Sequence, residues 1–268
     1  MKILIFGANG MVGRYLNKYF SDSLTVTRDN LDALLIRQEL FYHQMRMLNI
    51  QQGDVVINAM GLINKRNDEA YDFLVVNSIF PRLLADYCEK KQSNMIHIST
   101  DCVYDGAEGC YSEAYLHNSK HIYGLSKSLG EPNNCTVIRT SIIGESINSK
   151  KDLLEWVKSH KNTTIEGWTS HYWNGITCLQ FAKICEHIIS NNRFWHGVRH
   201  IYSPQSVSKA QLVAMINEIY ELGNEVIFKD SGVYCNRILT STYDLDEFQI
   251  PPIKDQIIEQ KRWTSDFL

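Results

Sequence analysis

The chain opens on an apolar strand, a glycine-rich turn and a helix, and this order restricts the fold more than any other feature. Lys2–Phe6 is predicted to be a buried strand and Met11–Phe20 a helix, with Gly7, Gly10 and Gly13 in a GxxGxxG spacing. In such a unit the first glycine permits the tight turn, the second lets the backbone approach a pyrophosphate, and the third permits close helix–strand packing. The helix N-terminus also favours phosphate charge. The pattern predicts a dinucleotide-binding βαβ unit; a glycine-rich turn without a ligand is the alternative.

Short apolar runs alternate with helical periodicity through the first two-thirds of the chain. The next predicted strands are Leu24–Thr27, Asp54–Met60, Met95–Ser99 and Thr136–Thr140, and the next predicted helices are Gln38–Leu48, Glu69–Lys91 and Tyr123–Glu131. Strands that alternate with helices form right-handed crossovers and a mostly parallel sheet. The predicted fold class is therefore α/β, a Rossmann-type doubly wound parallel sheet. Such sheets bind ligands beyond the carboxyl ends of their strands.

The alternation changes near Glu145, which predicts two domains. Residues 1–145 form the predicted NAD(P)-binding Rossmann domain, and residues 146–268 a smaller C-terminal α/β lobe that binds substrate. Helices are expected at Leu153–Ser159, Cys178–Ser190 and Ser208–Leu222. Val198–Tyr202 is a predicted late strand that can rejoin the main sheet, so segments of the lobe are expected to return to the first domain.

The charge and the cysteines exclude several classes of protein. A net charge of −3 and a pI near 6.3 give no electrostatic reason to bind nucleic acid or an anionic membrane. No apolar run approaches the ~20 residues that span a bilayer. The seven cysteines form no CxxC pair, and no signal peptide is recognised, which indicates reduced thiols in the cytoplasm. His117 and His121 lie four residues apart without a third ligand nearby, so no metal site is expected.

A tyrosine and a lysine four residues apart are the candidate proton-transfer groups. Tyr123 and Lys127 share one face of the predicted helix. A free tyrosine has a pKa near ~10, and a neighbouring cation is expected to lower it. A tyrosine and a lysine at this spacing are common on solvated surfaces, so the pair alone does not indicate catalysis. The polar residues Ser99, Thr100 and Asp101 at a predicted strand end strengthen the catalytic interpretation. A hydroxyl there can donate a hydrogen bond to a substrate carbonyl; a strand-end cap is the alternative.

Residues after the second and third strands indicate the cofactor. Arg28 follows the second strand, where the adenosine ribose would lie, and an arginine suits a 2′-phosphate. This favours NADPH, although the adjacent Asp29 leaves NADH as an alternative. A third interpretation is that Arg28 is a surface arginine without a role in cofactor binding. Ala59, Met60 and Gly61 follow the third strand, where the small residues would let a cofactor pass close to the backbone.

Beyond these features the chain resembles a known family. The matching stretches occur in the expected order: Gly7–Gly13, Thr27-Arg28, Leu31-Asp32, Val56–Ala59, Val76-Asn77, Ser99–Gly106, Tyr123–Glu131 and Arg139–Ser141. They resemble the extended short-chain dehydrogenase/reductases, specifically the dTDP-4-dehydrorhamnose reductase group, most strongly over residues 1–145. The stretch Ser-Thr-Asp-x-Val-x-Asp-Gly is the most specific element, because the wider superfamily shares only the glycine loop and Tyr-x-x-x-Lys.

The resemblance implies a reaction and a set of residue roles. Tyr123 would be the general acid, Lys127 would lower its pKa and hold the nicotinamide ribose, and Thr100 would orient the keto oxygen. Hydride would pass from the nicotinamide to C4 of a nucleotide-linked 4-keto-6-deoxyhexose, a step of glycan biosynthesis. The implied cofactor-binding residues are Gly7, Asn9, Gly10, Met11, Val12, Arg28, Asp32, Ala59, Met60, Gly61, Asn77, Ser99, Tyr123 and Lys127. The implied substrate-binding residues are Asp101, Val103, Tyr104, Ile142, Trp173, Asn174 and Arg237.

Several positions depart from the rhamnose reductase pattern and leave the sugar open. Met60–Arg66 lacks the small residues, threonine and acidic residue of that group, and Ile142 stands where a tryptophan often contacts the sugar. These changes resemble a sister subgroup that reduces UDP-linked 2-acetamido-2,6-dideoxy-4-keto sugars on the way to N-acetyl-L-rhamnosamine. Arg237 is a candidate for the nucleotide diphosphate, with a surface salt bridge as the alternative.

Other functions of the same fold stay open. A sugar-nucleotide epimerase or a 4,6-dehydratase is one alternative, but a dehydratase is expected to carry an acid pair after the threonine, and Cys102 follows Asp101 here. A non-catalytic, NADPH-binding regulatory subunit belongs to a different class. A homodimer is likewise an open alternative to a monomer.

Overall fold

The computed structural model describes residues 1–35, 38–63, 69–146 and 152–265. Two compact units interleave along the sequence. The first comprises Met1–Val103, His117–Arg139 and Cys185–Arg199, and the second Tyr104–Leu116, Thr140–Ile184 and His200–Leu268. The domain boundary at residue 145 stays a prediction.

The strands are short and the helices run between them. The strands are β1 Ile3–Phe6, β2 Leu24–Val26, β3 Val55–Asn58, β4 Asn94–Thr100, β5 Thr136–Thr140, β6 Ile142–Ile143, β7 Thr164–Trp168, β8 His171–Trp173, β9 Ile176–Thr177, β10 Gly197–His200, β11 Val207–Ser208, β12 Glu225–Lys229 and β13 Cys235–Asn236. The α-helices are α1 Met11–Tyr19, α2 Gln38–Met47, α3 Ala70–Leu74, α4 Phe80–Lys90, α5 Ile122–Leu129, α6 Leu153–Ser159, α7 Cys178–Ser190, α8 Lys209–Ile219 and α9 Ile253–Ser265.

A six-stranded sheet in the order β10-β5-β4-β3-β1-β2 organises the first unit. β1 pairs in parallel with both β2 and β3, and β3 pairs in parallel with β4. The chain leaves β1 toward β2 on one side and returns to β3 on the other, so β1 and β3 flank the topological switch point where such sheets bind ligands. The predicted α/β doubly wound sheet is confirmed, including the late strand β10, which lies next to β5.

Apolar strands and helix faces form the core of this unit. β3 is buried along its whole length, as expected for a parallel strand covered on both faces. Phe41 of α2 and Phe80 of α4 pack edge-on with ring centroids 6.2 Å apart, and Phe80 also lies 5.9 Å from Phe6 of β1. Full burial of each phenylalanine side chain stabilises the fold by about 1.5–3 kcal/mol.

The sequence predicts one helix over Glu69–Lys91, and the structure inserts a π-helical turn at Val75–Ile79 between α3 and α4. Two buried polar side chains of this turn bind α5. Asn77 Nδ2 donates to the Ser126 hydroxyl over 3.0 Å, and the Ser78 hydroxyl donates to the Ser126 carbonyl over 2.7 Å. Such turns are frequent at functional sites, and here the turn fixes the helix that carries Tyr123 and Lys127.

The second unit is built from three small sheets and the helices α6, α8 and α9. Its sheets have the orders β11-β8-β13, β12-β7 and β6-β9. α8 begins with a reciprocal capping box, in which Gln211 N donates to Ser208 Oγ over 3.2 Å and Ser208 N donates to Gln211 Oε1 over 2.8 Å. Leu154 and Val157 of α6 and Ile216 of α8 pack in one core of this unit.

The sequence analysis does not predict β7 and β8. β7 has the alternating burial of a strand with one face covered, but Gly167 interrupts its apolar pattern. A Cβ at Gly167 would lie 2.6 Å from Ala210 Cα. The glycine is therefore there because α8 packs directly on the strand, which is a common reason for glycine inside a strand.

Candidate active site

The glycine loop forms a turn that leaves no room for larger side chains. Gly7 has a φ of +78°, and a Cβ there would lie 2.9 Å from Met60 N. A Cβ at Gly13 would lie 2.1 Å from Gly7 O, and Gly10 N donates to the same oxygen over 2.9 Å. The loop thus brings α1 close to the carboxyl ends of β1 and β3, at the switch point of the sheet.

The N-terminus of α1 is open to an anion. Gly10 caps the helix without a side-chain hydrogen bond, and the first turn carries no acidic side chain. Asn9 is exposed in the turn, and Met11 and Val12 are half-buried in the first turn of the helix. A helix start of this kind attracts a phosphate through its N–H groups and its dipole.

Two predicted adenosine-side residues follow β2. Arg28 is exposed, two residues after the end of β2. The Asp32 carboxylate accepts a hydrogen bond from Leu34 N over 3.0 Å, which shapes the turn after the strand. Their roles in cofactor binding stay predictions.

A buried asparagine fixes the segment after β3. Asn77 Oδ1 accepts from Leu62 N over 2.8 Å, and its Nδ2 donates to Leu62 O over 3.0 Å. Met60 N donates to the Asn58 side chain over 3.1 Å, and Gly61 lies next to Asn77. The path of this segment, including Ala59, is therefore set by side chains rather than by a strand. The sequence differences from the rhamnose reductase pattern at residues 64–66 lie outside the described residues.

The lysine of the Tyr-x-x-x-Lys pair is buried in the first unit. Lys127 is 4% exposed, and its Nζ donates to Ile98 O on β4 over 2.5 Å. Burial lowers the pKa of Lys127 to about 8, and the Glu131 carboxylate opposes this effect. Lys127 therefore still carries its proton through most of the neutral range. Tyr123, one turn earlier, is half-buried.

A glycine allows α5 to approach the end of β4. A Cβ at Gly124 would lie 2.1 Å from Cys102 O and 2.2 Å from Ser119 Oγ. Cys102 belongs to the 3-10 turn Asp101–Val103 that directly follows Thr100. The first turn of α5 thus packs against the backbone just beyond Thr100. Tyr123, which directly precedes Gly124, lies in this turn.

The hydroxyl of Thr100 lies at the end of β4 in a fixed position. It accepts from Cys102 N over 3.2 Å and donates to the Asp101 carboxylate over 3.2 Å. Val103 is buried, and its carbonyl accepts from Asn118 N and Ser119 N. The hydroxyl can donate to an acceptor other than Asp101 by rotation of its hydrogen alone, while its oxygen keeps the bond from Cys102 N.

Five predicted substrate-side residues belong to the second unit. Arg237 Nε donates to Tyr104 O over 3.1 Å, so the structure brings these two residues together. The Asn174 amide accepts from Leu239 N and donates to Leu239 O, and a substrate contact would compete with both bonds. Trp173 is buried, and Ile142 pairs with Ile176 between β6 and β9. Their roles toward a substrate stay predictions.

A cavity of about 600 Å³ lies in the second unit. It is walled by α6, β7 and α8, and its lining includes Trp156, His160, Trp168 and Lys209. Ligand pockets in proteins commonly have about this size and are lined mostly by apolar and aromatic side chains with a few polar groups. Sequence reasoning did not identify it, because β7 was not predicted.

Comparisons with known proteins show which family the chain belongs to. Residues 1–225 match the RmlD substrate binding domain family. The chain belongs to this family. The resemblance stated from the sequence motifs is thereby confirmed.

Relatives and solved structures extend the match over nearly the whole chain. A dTDP-4-dehydrorhamnose reductase of Aggregatibacter actinomycetemcomitans is 26% identical over 277 residues, covering 92% of each chain. A dTDP-4-keto-6-deoxy-D-glucose reductase of Streptomyces niveus is 25% identical over 215 residues, 72% of this chain and 71% of the relative. The crystal structure of a dTDP-4-dehydrorhamnose reductase from Bacillus anthracis str. Ames in complex with NADP is similar in fold, with a TM-score of 0.82 at 16% identity over 98% of this chain and 99% of that one.

Two features are absent from the residues that the structure describes. Within them, no helix has both the length and the hydropathy needed to cross a bilayer. No group of three or more His, Cys, Asp and Glu side chains in the same part of the chain is arranged to hold a metal ion.

Sequence reasoning gave no role to several residues that shape this site. Gly124 and Gly130 stand at the two ends of α5, and a Cβ at Gly130 would lie 1.7 Å from Asn77 O. A glycine inside a helix lowers the stability by about 1 kcal/mol relative to alanine, so its presence there suggests a packing reason. The sequence therefore contained a sign that Gly124 matters for packing. Arg139 and Glu131 appear in the motifs, but the alternation of apolar residues does not reveal that they form a buried pair.

Proposed function

We propose that the chain is an NADPH-dependent reductase of the C4 keto group of a nucleotide-linked 4-keto-6-deoxyhexose. The observation that carries the proposal is the buried Lys127, held on β4 by Ile98 O at the strand end that leads into Thr100. Family membership supports it, because the curated relatives named above are reductases of such sugars.

Tyr123 is the proton donor in this proposal. As the keto oxygen gains negative charge, the phenol releases its proton to it, and the Lys127 ammonium one turn away stabilises the phenolate left behind. Burial of the Lys127 ammonium strengthens this interaction, because water screens a buried charge less than an exposed one. General acid catalysis of this kind contributes about 10²–10⁴-fold to a rate.

Thr100 orients the keto oxygen. Its hydroxyl oxygen is held by Cys102 N, and its hydrogen turns from Asp101 to the substrate oxygen. A positioned donor of this kind polarises the carbonyl and costs no reorganisation of the protein backbone.

The glycine loop fits a dinucleotide. The Cβ positions at Gly7 and Gly13 are filled by neighbouring backbone, and the start of α1 offers N–H groups without an acidic side chain. A bound nicotinamide would supply the hydride, and Lys127 would hold its ribose. Arg28 favours NADPH through a 2′-phosphate, with NADH as the alternative. The NADP complex of the Bacillus anthracis relative supports this choice.

The substrate nucleotide is proposed to involve the second unit. Its aromatic cavity suits the base, and Arg237 suits the diphosphate. Ile142 leaves more room than a tryptophan would, which favours a sugar with a bulky 2-acetamido group. The finer proposal is therefore a UDP-linked 2-acetamido-2,6-dideoxy-4-keto sugar, with the dTDP-linked 4-keto-6-deoxyhexose as the other member of the class and glycan synthesis as the purpose.

The test is NADPH oxidation with freshly prepared dTDP- and UDP-linked 4-keto sugars. Turnover with at least one of them is expected, together with its loss in Tyr123→Phe. Trp168→Ala, which opens the cavity wall, is expected to raise KM for the sugar nucleotide and leave the Kd of NADPH unchanged. No turnover with either nucleotide would refute the proposed function.

A further inference from the structure

A buried ion pair lies next to the proposed catalytic residues. Arg139 on β5 is 2% exposed and donates to both carboxylate oxygens of Glu131, over 3.0 Å from Nε and 2.6 Å from Nη2. The Ser99 hydroxyl donates a further hydrogen bond to Glu131 over 2.5 Å. Buried pairs often stabilise a fold no more than apolar residues of equal volume do. The role of this pair therefore lies in what it positions.

Glu131 joins the two elements that carry the proposed catalytic residues. Ser99 directly precedes Thr100 on β4, and Glu131 follows the end of α5, four residues beyond Lys127. A bidentate arginine fixes the plane of a carboxylate as well as its position. The carboxylate thus holds the end of β4 at a set distance from the end of α5.

The charge of Glu131 also acts on Lys127. Burial lowers the pKa of Lys127, and Glu131 raises it. Burial raises the pKa of Glu131 itself, but the hydrogen bond and charge of Arg139 outweigh this and keep it below the usual value. His97 on β4 is a further titratable group beside the lysine, and burial together with the Lys127 charge keeps its pKa well below the usual value.

His117 completes the network as a neutral side chain. Arg139 Nη2 always donates, and it lies 2.7 Å from His117 Nε2, so that nitrogen accepts. The proton of His117 is then on Nδ1, which lies 2.5 Å from Ser128 Oγ. Burial lowers the pKa of His117, Glu131 opposes this, and Arg139 lowers it further. Near neutral pH the network therefore contains one carboxylate and one guanidinium, with the carboxylate acting on Lys127.

We propose that Glu131 is a positioning residue for proton transfer, which fixes β4 against α5 and keeps the Lys127 ammonium charged beside Tyr123. The inference rests on the proposed function, because it adds a member to the same site. Glu131 acts through Lys127 and Ser99 and does not itself touch the substrate.

Glu131→Gln removes the charge and keeps the shape of the side chain. It leaves the Arg139 guanidinium buried without its carboxylate, which can unfold a protein. The double variant Glu131→Gln/Arg139→Gln therefore accompanies it, since two amides can bond to each other. Glu218→Gln is the matched control, because it breaks an exposed ion pair, with Lys254, in the second unit.

The readout is the titration of Lys127 itself, followed by NMR of its Nζ and Cε nuclei in lysine-labelled protein. The signal is assigned as the one that is lost in Lys127→Arg. The midpoint is expected near 8 in the wild type and in Glu218→Gln. In Glu131→Gln it is expected to fall by about one unit, because an opposite charge has been removed. In the double variant a smaller fall is expected, because the positive charge of Arg139 is removed together with the negative charge of Glu131. A folded variant whose midpoint equals that of the wild type overturns the proposal.

Kinetics supply a second readout. Because the amine loses its proton at lower pH, the alkaline limb of the kcat profile should shift to lower pH by the same amount in Glu131→Gln. A uniform loss of kcat at every pH would contradict the positioning role. A wild type that turns over no ketosugar would refute the proposed function instead, and the Lys127 titration would then decide the inference alone.

Discussion

Gly124→Ala is a sharp test of how α5 positions Tyr123. The added methyl group would lie 2.1 Å from Cys102 O and 2.2 Å from Ser119 Oγ, whereas ordinary Cβ contacts begin near 3.4 Å. The Cys102 oxygen belongs to the backbone and cannot rotate away. The first turn of α5 must therefore retreat from the end of β4 by about 1.3 Å, and Tyr123 moves with it.

Two opposing effects set the stability of this variant. Overpacking costs about 1–3 kcal/mol, and alanine gains about 1 kcal/mol over glycine in a helix. The expected net loss in the free energy of unfolding is about 0–2 kcal/mol, measured by urea denaturation. A displacement of about 1 Å at a reacting group costs about 10²-fold in rate. The kcat of ketosugar reduction should therefore fall about a hundredfold while the Kd of NADPH stays the same.

Leu125→Ala is the matched control, because it changes the next residue of the same helix at a side chain that is 44% exposed. It should keep kcat within about twofold, as expected for a surface position. If Gly124→Ala retained the wild-type kcat in a folded protein, the close approach of α5 to the Thr100 turn would not be needed for catalysis, and the account of the site would be wrong.

Three further variants test single residues. Tyr123→Phe should lower kcat by about 10²–10⁴-fold with the Kd of NADPH unchanged in a fluorescence titration, and retention of full activity would remove the tyrosine from the mechanism. Arg28→Ala should weaken NADPH binding about tenfold and NADH binding hardly at all, while an equal effect on both would exclude a 2′-phosphate contact. Burial, and then the Lys127 charge, keep the pKa of His97 well below the usual 6.5, so below that pH the unfolded chain binds a proton that the folded chain does not. Stability should fall by about 1.4 kcal/mol per pH unit on acidification from about pH 6.5, and a slope that is not reduced in His97→Gln would contradict this assignment.

The sequence predicts the parallel sheet well, because its strands are continuous apolar runs. β5, α6 and α7 have the predicted bounds, and β1 and α1 differ from them by a residue at one end. Burial on both faces leaves such strands little freedom in composition. The glycine loop was also identifiable from the sequence, because local backbone geometry requires each of its glycines.

The parts that sequence reasoning missed depend on contacts between distant residues. The π-helical turn at Val75–Ile79 is set by Ser126 on α5 and by Gly130 directly after it, about fifty residues later in the chain. β7 was missed because Gly167 serves the packing of Ala210. The pairing of Glu131 with Arg139 likewise needs the fold to bring the end of α5 next to β5. At such positions the sequence shows an unexpected glycine or charge. It does not show which distant residue the position contacts.

The transfer of deuteride from deuterated NADPH to the sugar tests the central claim most directly. The enzyme is given C4-labelled NADPH and a dTDP- or UDP-linked 4-keto-6-deoxyhexose, and the product is analysed by mass spectrometry and NMR. The account predicts one deuterium at C4 of the sugar in the wild type, and at most about a hundredth as much labelled product in Tyr123→Phe over the same time. Label at another carbon, or equal incorporation in Tyr123→Phe, would contradict it.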